Sequence, residues 1–145
     1  MVDAPTDPEG WIMTPFETAM AFVDAINSKD LNRLADLMTA DHKFIDGDGS
    51  EHSGKDRMTT GWKEHFELIP DLTLSISDHF EANDTVVLLG WSSGTIVQNG
   101  ELKPENSWRV PSAWRVVIES GRIAVWQLYA NQQVLREIYN RIKAV

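Results

Sequence analysis

The 145-residue sequence contains no cysteine. Disulfide bonds, thiolate catalysis and cysteine-ligated zinc are therefore excluded. Basic residues are also few, because 13 Lys and Arg against 22 Asp and Glu leave a formal net charge of −9. Nucleic-acid binding depends on neutralising phosphates with Lys and Arg, so this charge argues against a nucleic-acid partner, and it also disfavours anionic membrane surfaces.

Long apolar runs are absent as well. No stretch approaches the ~20 apolar residues that a membrane span needs. The first dozen residues, MVDAPTDPEGWI, lack the basic start and apolar centre of a signal peptide, which predicts a cytoplasmic location. Hydrophobic residues make up 42% of the chain and charged residues 24%, the proportions of a globular protein. We expect a flexible N-terminal tail over residues 1–13 and a single domain over residues 14–145.

The first half of this domain has helical spacing. Residues 14–17, TPFE, combine a capping threonine, a first-turn proline and a capping-box glutamate, and they predict a helix to about Ser28. A second short helix follows Asp30, a short strand spans residues 42–46, and a third helix begins after a cap at Ser53.

The second half alternates with a period of two. It predicts four strands. The first begins near residue 72, and the other three cover residues 85–97, 107–119 and 122–129. A final amphipathic helix follows them. Helices followed by consecutive strands indicate an α+β fold rather than a parallel α/β fold.

The last predicted strand is apolar on both faces. Ile123 and Val125 are expected on one face, and Trp126 and Leu128 on the other. One face has to cover the helices, so we expect a second copy of the chain to cover the other.

Four stretches of the chain, in this order, resemble the nuclear transport factor 2-like superfamily, in particular its SnoaL-like and ketosteroid-isomerase-like branches. They are AFVDAINSKDLNRLADLMTADHKFID, GKDRMTTGWKEHF, IPDLTLSI and AWRVVIESGRIAVWQLYAN. The resemblance implies a cone-shaped curved sheet, mixed or antiparallel, wrapped around the N-terminal helices, with a pocket between helix and sheet. It also implies a homodimer formed through the outer face of the sheet. The superfamily includes isomerases, polyketide cyclases, dehydratases, epoxide hydrolases and binding proteins, so the fold alone does not define an activity.

Asp46 is the first candidate for catalysis. By resemblance, the segment FIDGDGSEHSG lies over the isomerase segment that carries the general base, and Asp46 takes the position of that base. A carboxylate in an apolar, partly dry site can shuttle a proton near neutral pH. The alternative is a turn aspartate that accepts hydrogen bonds from nearby backbone N–H groups.

The other parts of the isomerase site are not retained. Its oxyanion-stabilising tyrosine corresponds to Phe22, its second donor falls near Trp114, and a supporting tyrosine corresponds to Trp62. An enolate needs hydrogen-bond donors where its charge develops. We therefore do not expect ketosteroid isomerisation by that constellation.

The histidines are further candidates. His65 lies beside Trp62 on the inner edge of the third predicted helix, where it is either a general acid or base or an edge-of-core residue. His52 lies in the loop over the expected pocket mouth, whereas His42 and His79 are expected to be solvated. The stretch from Asp46 begins like a calcium loop but lacks its glycine and final glutamate. His42, Asp46 and His52 could together form a transition-metal site, but their spacing does not require one, so we expect no metal. We also expect no cofactor.

The six tryptophans predict an aromatic pocket. Each ring alone is more often ordinary core packing, but together they suit a flat, mostly apolar ligand, with indole N–H groups as orienting donors. The expected ligand-binding residues are Phe22, His52, Trp62, Trp91, Trp114, Trp126 and Asn131. Asn131 often corresponds to an acid in relatives, but an amide cannot serve as a base.

Two functional hypotheses follow. The first is a cofactor-free enzyme in which Asp46, with His65, moves a proton on an apolar carbonyl compound in an isomerisation, cyclisation or dehydration. The second is a binding protein for a hydrophobic or aromatic ligand that uses the same pocket without chemistry. A third possibility is an interaction module that uses its sheet face, which predicts a filled interior without a ligand-sized cavity.

Overall fold

The computed structural model describes residues 4–144, which form four α-helices, six β-strands and one short 3-10 helix. The helices are α1 (Pro15–Ser28), α2 (Leu31–Leu37), α3 (Lys55–Leu68) and α4 (Gln133–Lys143), and the 3-10 turn is Pro104–Asn106. The strands are β1 (Met38–Ile45), β2 (Glu51–Ser53), β3 (Thr73–Ala82), β4 (Thr85–Thr95), β5 (Ser107–Glu119) and β6 (Arg122–Ala130).

All six strands form one mixed sheet in the order β2-β1-β6-β5-β4-β3. Neighbouring strands are antiparallel except β1 and β6, which run parallel. The sheet remains open, because β2 and β3 are its two edges and do not pair with each other. The predicted α+β class, with a curved sheet around the N-terminal helices, is confirmed.

A β-bulge and a close glycine bend the sheet where β3 crosses β4. The register shifts between Ile76 and Asp78, and an extra residue in one strand increases local twist and bending. Gly90 pairs with Ile76, and a Cβ atom at Gly90 would overlap the carbonyl oxygen of Ser75. Only a residue without a side chain fits at this bend.

The start of α1 confirms its predicted capping box. The Thr14 hydroxyl accepts a hydrogen bond from the Glu17 backbone N–H at 3.1 Å, and the Glu17 carboxylate accepts one from the Thr14 N–H at 2.9 Å.

The prediction for the start of α3 is wrong. Ser53 belongs to β2, where it pairs with Lys43, and Gly54 precedes the helix with a φ of 106° and no side-chain cap.

The helices α1 and α2 pack into the concave face of the sheet. The largest fully buried side chains include Phe22, Ile26, Leu34, Leu37, Leu88 and Trp126. Asn27 fastens α1 to the edge strand β3, because its side-chain amide donates to the Leu74 carbonyl at 2.9 Å and accepts from the Leu74 N–H at 2.8 Å. This pair of hydrogen bonds satisfies a strand edge that would otherwise face the core.

Two predictions near β1 and β6 are wrong. The strand β1 begins at Met38 rather than at residue 42, so His42 lies in mid-strand and is fully buried instead of solvated. Ile123 is also fully buried and does not share the outer face with Val125, because the register of β5 and β6 shifts between them. A bulge interrupts the alternation that the sequence pattern assumes.

The N-terminal segment before α1 makes defined contacts from Thr6 onward. Thr6 forms a β-bridge with Ile12, and the Asp7 carboxylate accepts hydrogen bonds from the Glu9 and Trp11 N–H groups at 3.0 and 2.9 Å. Residues 1–3 of the predicted flexible tail, and residue 145 of the predicted domain, lie outside the described residues. None of the helices within residues 4–144 combines the length and the apolarity needed to cross a membrane.

Candidate functional site

A cavity of about 320 Å³ lies between α3 and the concave face of the sheet. Its walls are mainly apolar, formed by Phe44, Met58, Trp62, Leu72, Leu74, Trp108, Val110, Trp114, Trp126, Leu128 and Leu135. Polar side chains are few, namely Asp46, His52, His65, Ser92 and Gln132. A mostly apolar concavity with a small number of polar groups is the usual form of a small-molecule site.

Four of the six tryptophans line this cavity because of strand alternation and helix position. Trp108 and Trp114 on β5 are an even number of residues apart and point inward, and the Trp114 ring centroid lies 6.2 Å from that of Trp126 on β6. Trp62 enters from α3. The Trp108 indole N–H is buried without an acceptor among the described residues.

Phe22, expected to contact the ligand, lies beneath the cavity wall and does not line it. It is fully buried, with its ring centroid 4.7 Å from Trp126 and 6.1 Å from Trp62. Its role in this structure is to support two of the indoles that form the wall.

Two other expected ligand contacts lie outside the cavity. Trp91 points to the outer face of the sheet because its neighbour Ser92 points inward, and the Arg109 guanidinium stacks 3.8 Å from its ring centroid. Asn131 is exposed, and its side-chain oxygen accepts a hydrogen bond from the Gln133 N–H at 3.0 Å. The next residue, Gln132, lines the cavity instead.

Asp46 is both a turn residue and a cavity residue. It follows the last residue of β1, its N–H donates to the Ser50 carbonyl at 2.9 Å, and its Oδ1 accepts from the Gly47 N–H at 2.7 Å. The half-buried carboxylate also lines the mouth of the cavity. One carboxylate oxygen is therefore held by the turn, which fixes the orientation of the other.

His65 enters the cavity from α3. Its ring packs edge-to-face on Trp62 at 5.9 Å between centroids. Burial lowers the pKa of His65 below its ordinary value of 6.5, because burial disfavours the charged imidazolium; the Asp46 carboxylate acts in the opposite direction, and Lys29 adds to the lowering. A neutral imidazole at neutral pH can accept a proton on one nitrogen and donate from the other.

His52 lies at the mouth of the cavity on β2. Its Nδ1 is 3.4 Å from the Arg57 guanidinium and its Nε2 is 3.5 Å from the Ser50 hydroxyl. Its ring is roughly parallel to that of Phe44, at 6.4 Å between centroids. The structure thus places His52, Asp46 and His65 around one cavity.

His42, by contrast, belongs to the core. Its Nδ1 lies 2.7 Å from the Ile123 carbonyl, so that nitrogen carries the proton, and its Nε2 is buried without a hydrogen-bond partner among the described residues. Burial lowers the pKa of His42, although the hydrogen bond to Ile123 and the charge of Asp41 oppose this.

These two histidines predict a loss of stability in mild acid. The unfolded chain takes up protons on His42 and His65 near pH 6.5, whereas in the folded chain both pKa values lie lower. The unfolded state therefore binds more protons below that pH, so the free energy of unfolding is greatest above about pH 6.5 and falls as the pH falls further. Urea unfolding at pH 7.5 and 5.5 measures the difference.

A single substitution isolates one of the two contributions. In His42→Asn the side-chain amide can still donate to the Ile123 carbonyl but does not titrate, so we expect a smaller difference between the two pH values than in the parent protein. An equal difference in both proteins would contradict a neutral buried His42.

Within residues 4–144, no three His, Asp or Glu side chains stand close enough together to hold a metal ion. The polar side chains that line the indole-walled cavity supply one carboxylate, two imidazoles, one carboxamide and one hydroxyl group.

Comparison with known proteins gives one family and one fold. The family model for the SnoaL-like domain matches residues 19–126. No sequence among the curated proteins matches the chain.

Three solved structures illustrate the shared fold. A protein with a ketosteroid isomerase-like fold from Catenulispora acidiphila, in complex with trimethylamine, is 22% identical with a TM-score of 0.71, over 85% of this chain and 91% of that one. IdmH from Streptomyces antibioticus, provisionally assigned as a polyketide cyclase, is 19% identical with a TM-score of 0.72, over 88% and 99%. An LEH-like epoxide hydrolase from M. tuberculosis is 14% identical with a TM-score of 0.72, over 90% and 92%.

At these identities the structural matches establish the fold and leave the activity open. The family match is independent of them and covers most of the chain, from α1 to the inward-facing Trp126 of β6. The protein belongs to the SnoaL-like domain family.

Proposed function

We propose that the protein is a cofactor-independent enzyme that transfers a proton on an apolar, carbonyl-bearing substrate, as an isomerase, cyclase or dehydratase-like lyase does. One observation carries the proposal. The Asp46 carboxylate and the His65 imidazole line the same indole-walled cavity. A base and a second proton-transfer group at one apolar site are the components that such a reaction needs.

The chemical step assigns a role to each group. Asp46 removes a proton from the carbon next to the substrate carbonyl. The electron pair of the broken C–H bond forms a carbon–carbon double bond, and the π pair of the carbonyl moves onto its oxygen to give an enolate. His65, neutral in the resting protein, donates a hydrogen bond to that oxygen or relays a proton. The proton held by Asp46 then returns to another carbon, or assists the departure of a hydroxyl group as water.

The apolar walls account for binding. Trp62, Trp114 and Trp126 present broad indole surfaces to a flat ligand, and His52 adds a polar contact at the mouth. Phe22 acts indirectly, by holding two of these rings in place. We therefore expect a substrate with a rigid apolar body and a single polar edge.

Hydrogen exchange at a ketone tests the proposal without knowledge of the natural substrate. The compounds are 1-tetralone and 2-tetralone, two-ring ketones with hydrogens next to the carbonyl, incubated with the protein in D₂O and followed by proton NMR. We expect the protein to accelerate deuterium incorporation at those carbons.

A binding protein without chemistry is the alternative, and one contact favours it. The Asp46 Oδ1 atom already accepts a hydrogen bond from the Gly47 N–H, which is what a purely structural turn aspartate does. If the tetralones quench tryptophan fluorescence but exchange no faster than in buffer, the binding role holds and the catalytic role is wrong.

We also propose that the protein forms a homodimer through the outer face of the sheet. Leu89, Trp91, Pro111, Ala113 and Tyr129 surround a shallow depression there. Tyr129 is 54% exposed in the single chain. Contiguous apolar surface of this kind is commonly an interface. The cytoplasmic location and the absence of a cofactor stay predictions.

The dimer predicts a light-scattering mass of twice the 16.4 kDa chain. Leu89→Arg places a charge in the depression on the outer face and is expected to give a single-chain mass. Thr60→Arg adds the same charge at an exposed position on α3, away from the sheet, and is expected to leave the dimer intact. A single-chain mass for the parent protein would contradict the proposal.

A further inference from the structure

Gln132 occupies the mouth of the cavity at the point where β6 gives way to α4. It is half-buried, lines the cavity, and immediately precedes the first residue of the helix. Its backbone carbonyl accepts a hydrogen bond from the Arg136 N–H at 3.1 Å, as expected of a residue at the start of a helix. The position of its side chain is therefore set by two regular elements.

Gly47 provides the space that the Gln132 carboxamide fills. A Cβ atom at Gly47 would lie 2.8 Å from Gln132 Oε1 and 3.4 Å from the Ala130 carbonyl oxygen. Gly47 is not among the glycines with positive φ, so its backbone conformation does not require glycine. A side chain at this position would therefore displace the carboxamide, which stands beside the residue that follows Asp46.

The same carboxamide makes no hydrogen bond to another described residue, although it can accept on one atom and donate from the other. A half-buried amide without a partner at the edge of an apolar cavity is available to whatever enters. It lies on the same rim as Asp46 and His52, whereas the deeper walls are mainly apolar.

We infer that Gln132 orients the ligand by hydrogen bonding to its polar edge at the mouth, beside Asp46. The ligand class is a flat apolar molecule whose carbonyl or hydroxyl group faces the rim while its ring system contacts the tryptophans. This inference rests on the proposed function only in requiring that a ligand occupies the cavity. It holds equally for an enzyme and for a binding protein.

Two ligands that differ in one carbonyl group test the inference. Tryptophan fluorescence titrations with 1-tetralone and with tetralin, the same ring system without the oxygen, give the dissociation constant of each. Gln132→Met keeps the length of the side chain but removes both hydrogen-bonding atoms. Gly47→Ala keeps the carboxamide but forces it out of its place. Gln133→Met, at the exposed neighbouring residue whose amide bonds to Glu137, is the matched control.

We expect Gln132→Met and Gly47→Ala each to weaken 1-tetralone binding about 3- to 10-fold, the effect of one hydrogen bond, and to change tetralin binding less than about 2-fold. Gln133→Met should change neither. Equal weakening of both compounds, or unchanged 1-tetralone binding in both variants, would overturn the role of Gln132 and leave the proposed function standing. A parent protein that binds neither compound would overturn the proposed function and this inference with it.

Discussion

Asp46→Asn is expected to lower the rate of deuterium exchange at the tetralones by about 10²- to 10⁴-fold, the usual effect of removing a general base. The amide has the shape of the carboxylate and can still accept a hydrogen bond from the Gly47 N–H, so the turn and the cavity mouth are retained. An amide cannot take up the proton. Ligand affinity, measured by tryptophan fluorescence, should change less than about 3-fold.

Asp48→Asn is the control for this experiment. Asp48 lies two residues further along the same turn, is exposed, and accepts a hydrogen bond from the Ser50 N–H at 2.9 Å. It does not line the cavity. Loss of the same charge in the same loop should leave exchange within about 2-fold of the parent rate. Equal losses in the two variants would mean that the loop's charge or fold, rather than the Asp46 carboxylate, governs the reaction.

Gly90→Ala is expected to destabilise the protein by about 3 kcal/mol, the upper end of the range seen when extra atoms are forced into a packed site. The new methyl group would meet the backbone of Ser75 and Ile76, which cannot rotate away as a flexible side chain can. For a chain of this length the corresponding fall in melting temperature is about 10 °C. Calorimetry or circular dichroism measures it directly.

Gly61→Ala makes the same chemical change with the opposite expected result. Gly61 lies in α3, and a Cβ atom there would have no atom within 4 Å. Alanine favours a helix over glycine by up to about 1 kcal/mol, so the melting temperature should rise. If both substitutions were neutral, the close approach of β3 at Gly90 would not exist in solution.

Local pattern was enough to predict the α+β fold. The capping box at Thr14 and the alternation of the later strands depend on neighbouring residues only, and both appear in the structure. The strand β2 was not predicted because three residues carry too little periodicity. Its existence depends on pairing with β1, a tertiary contact.

The errors at single residues have the same origin. His42 is buried because β1 begins at Met38 and runs beside β6, and no local pattern encodes that parallel pairing. Ile123 changes face at a bulge. Gln132 lines the cavity in place of Asn131. Which of these two side chains faces inward depends on the residue at which β6 ends, and the ends of strands are difficult to predict from a sequence pattern. The only signal for Gln132 in the sequence was Gly47, whose role becomes visible once the two segments are adjacent.

Alternation along β4 and β5 has a consequence for how such a protein diversifies. Ser92 and Trp114 face the cavity, while Trp91 and Ala113, their immediate chain neighbours, face away from it. Under the proposed function and the proposed dimer, a mutation at Ser92 or Trp114 would alter the cavity, whereas one at Trp91 or Ala113 would alter the self-associating face. Selection could then reshape the interior and leave the assembly intact.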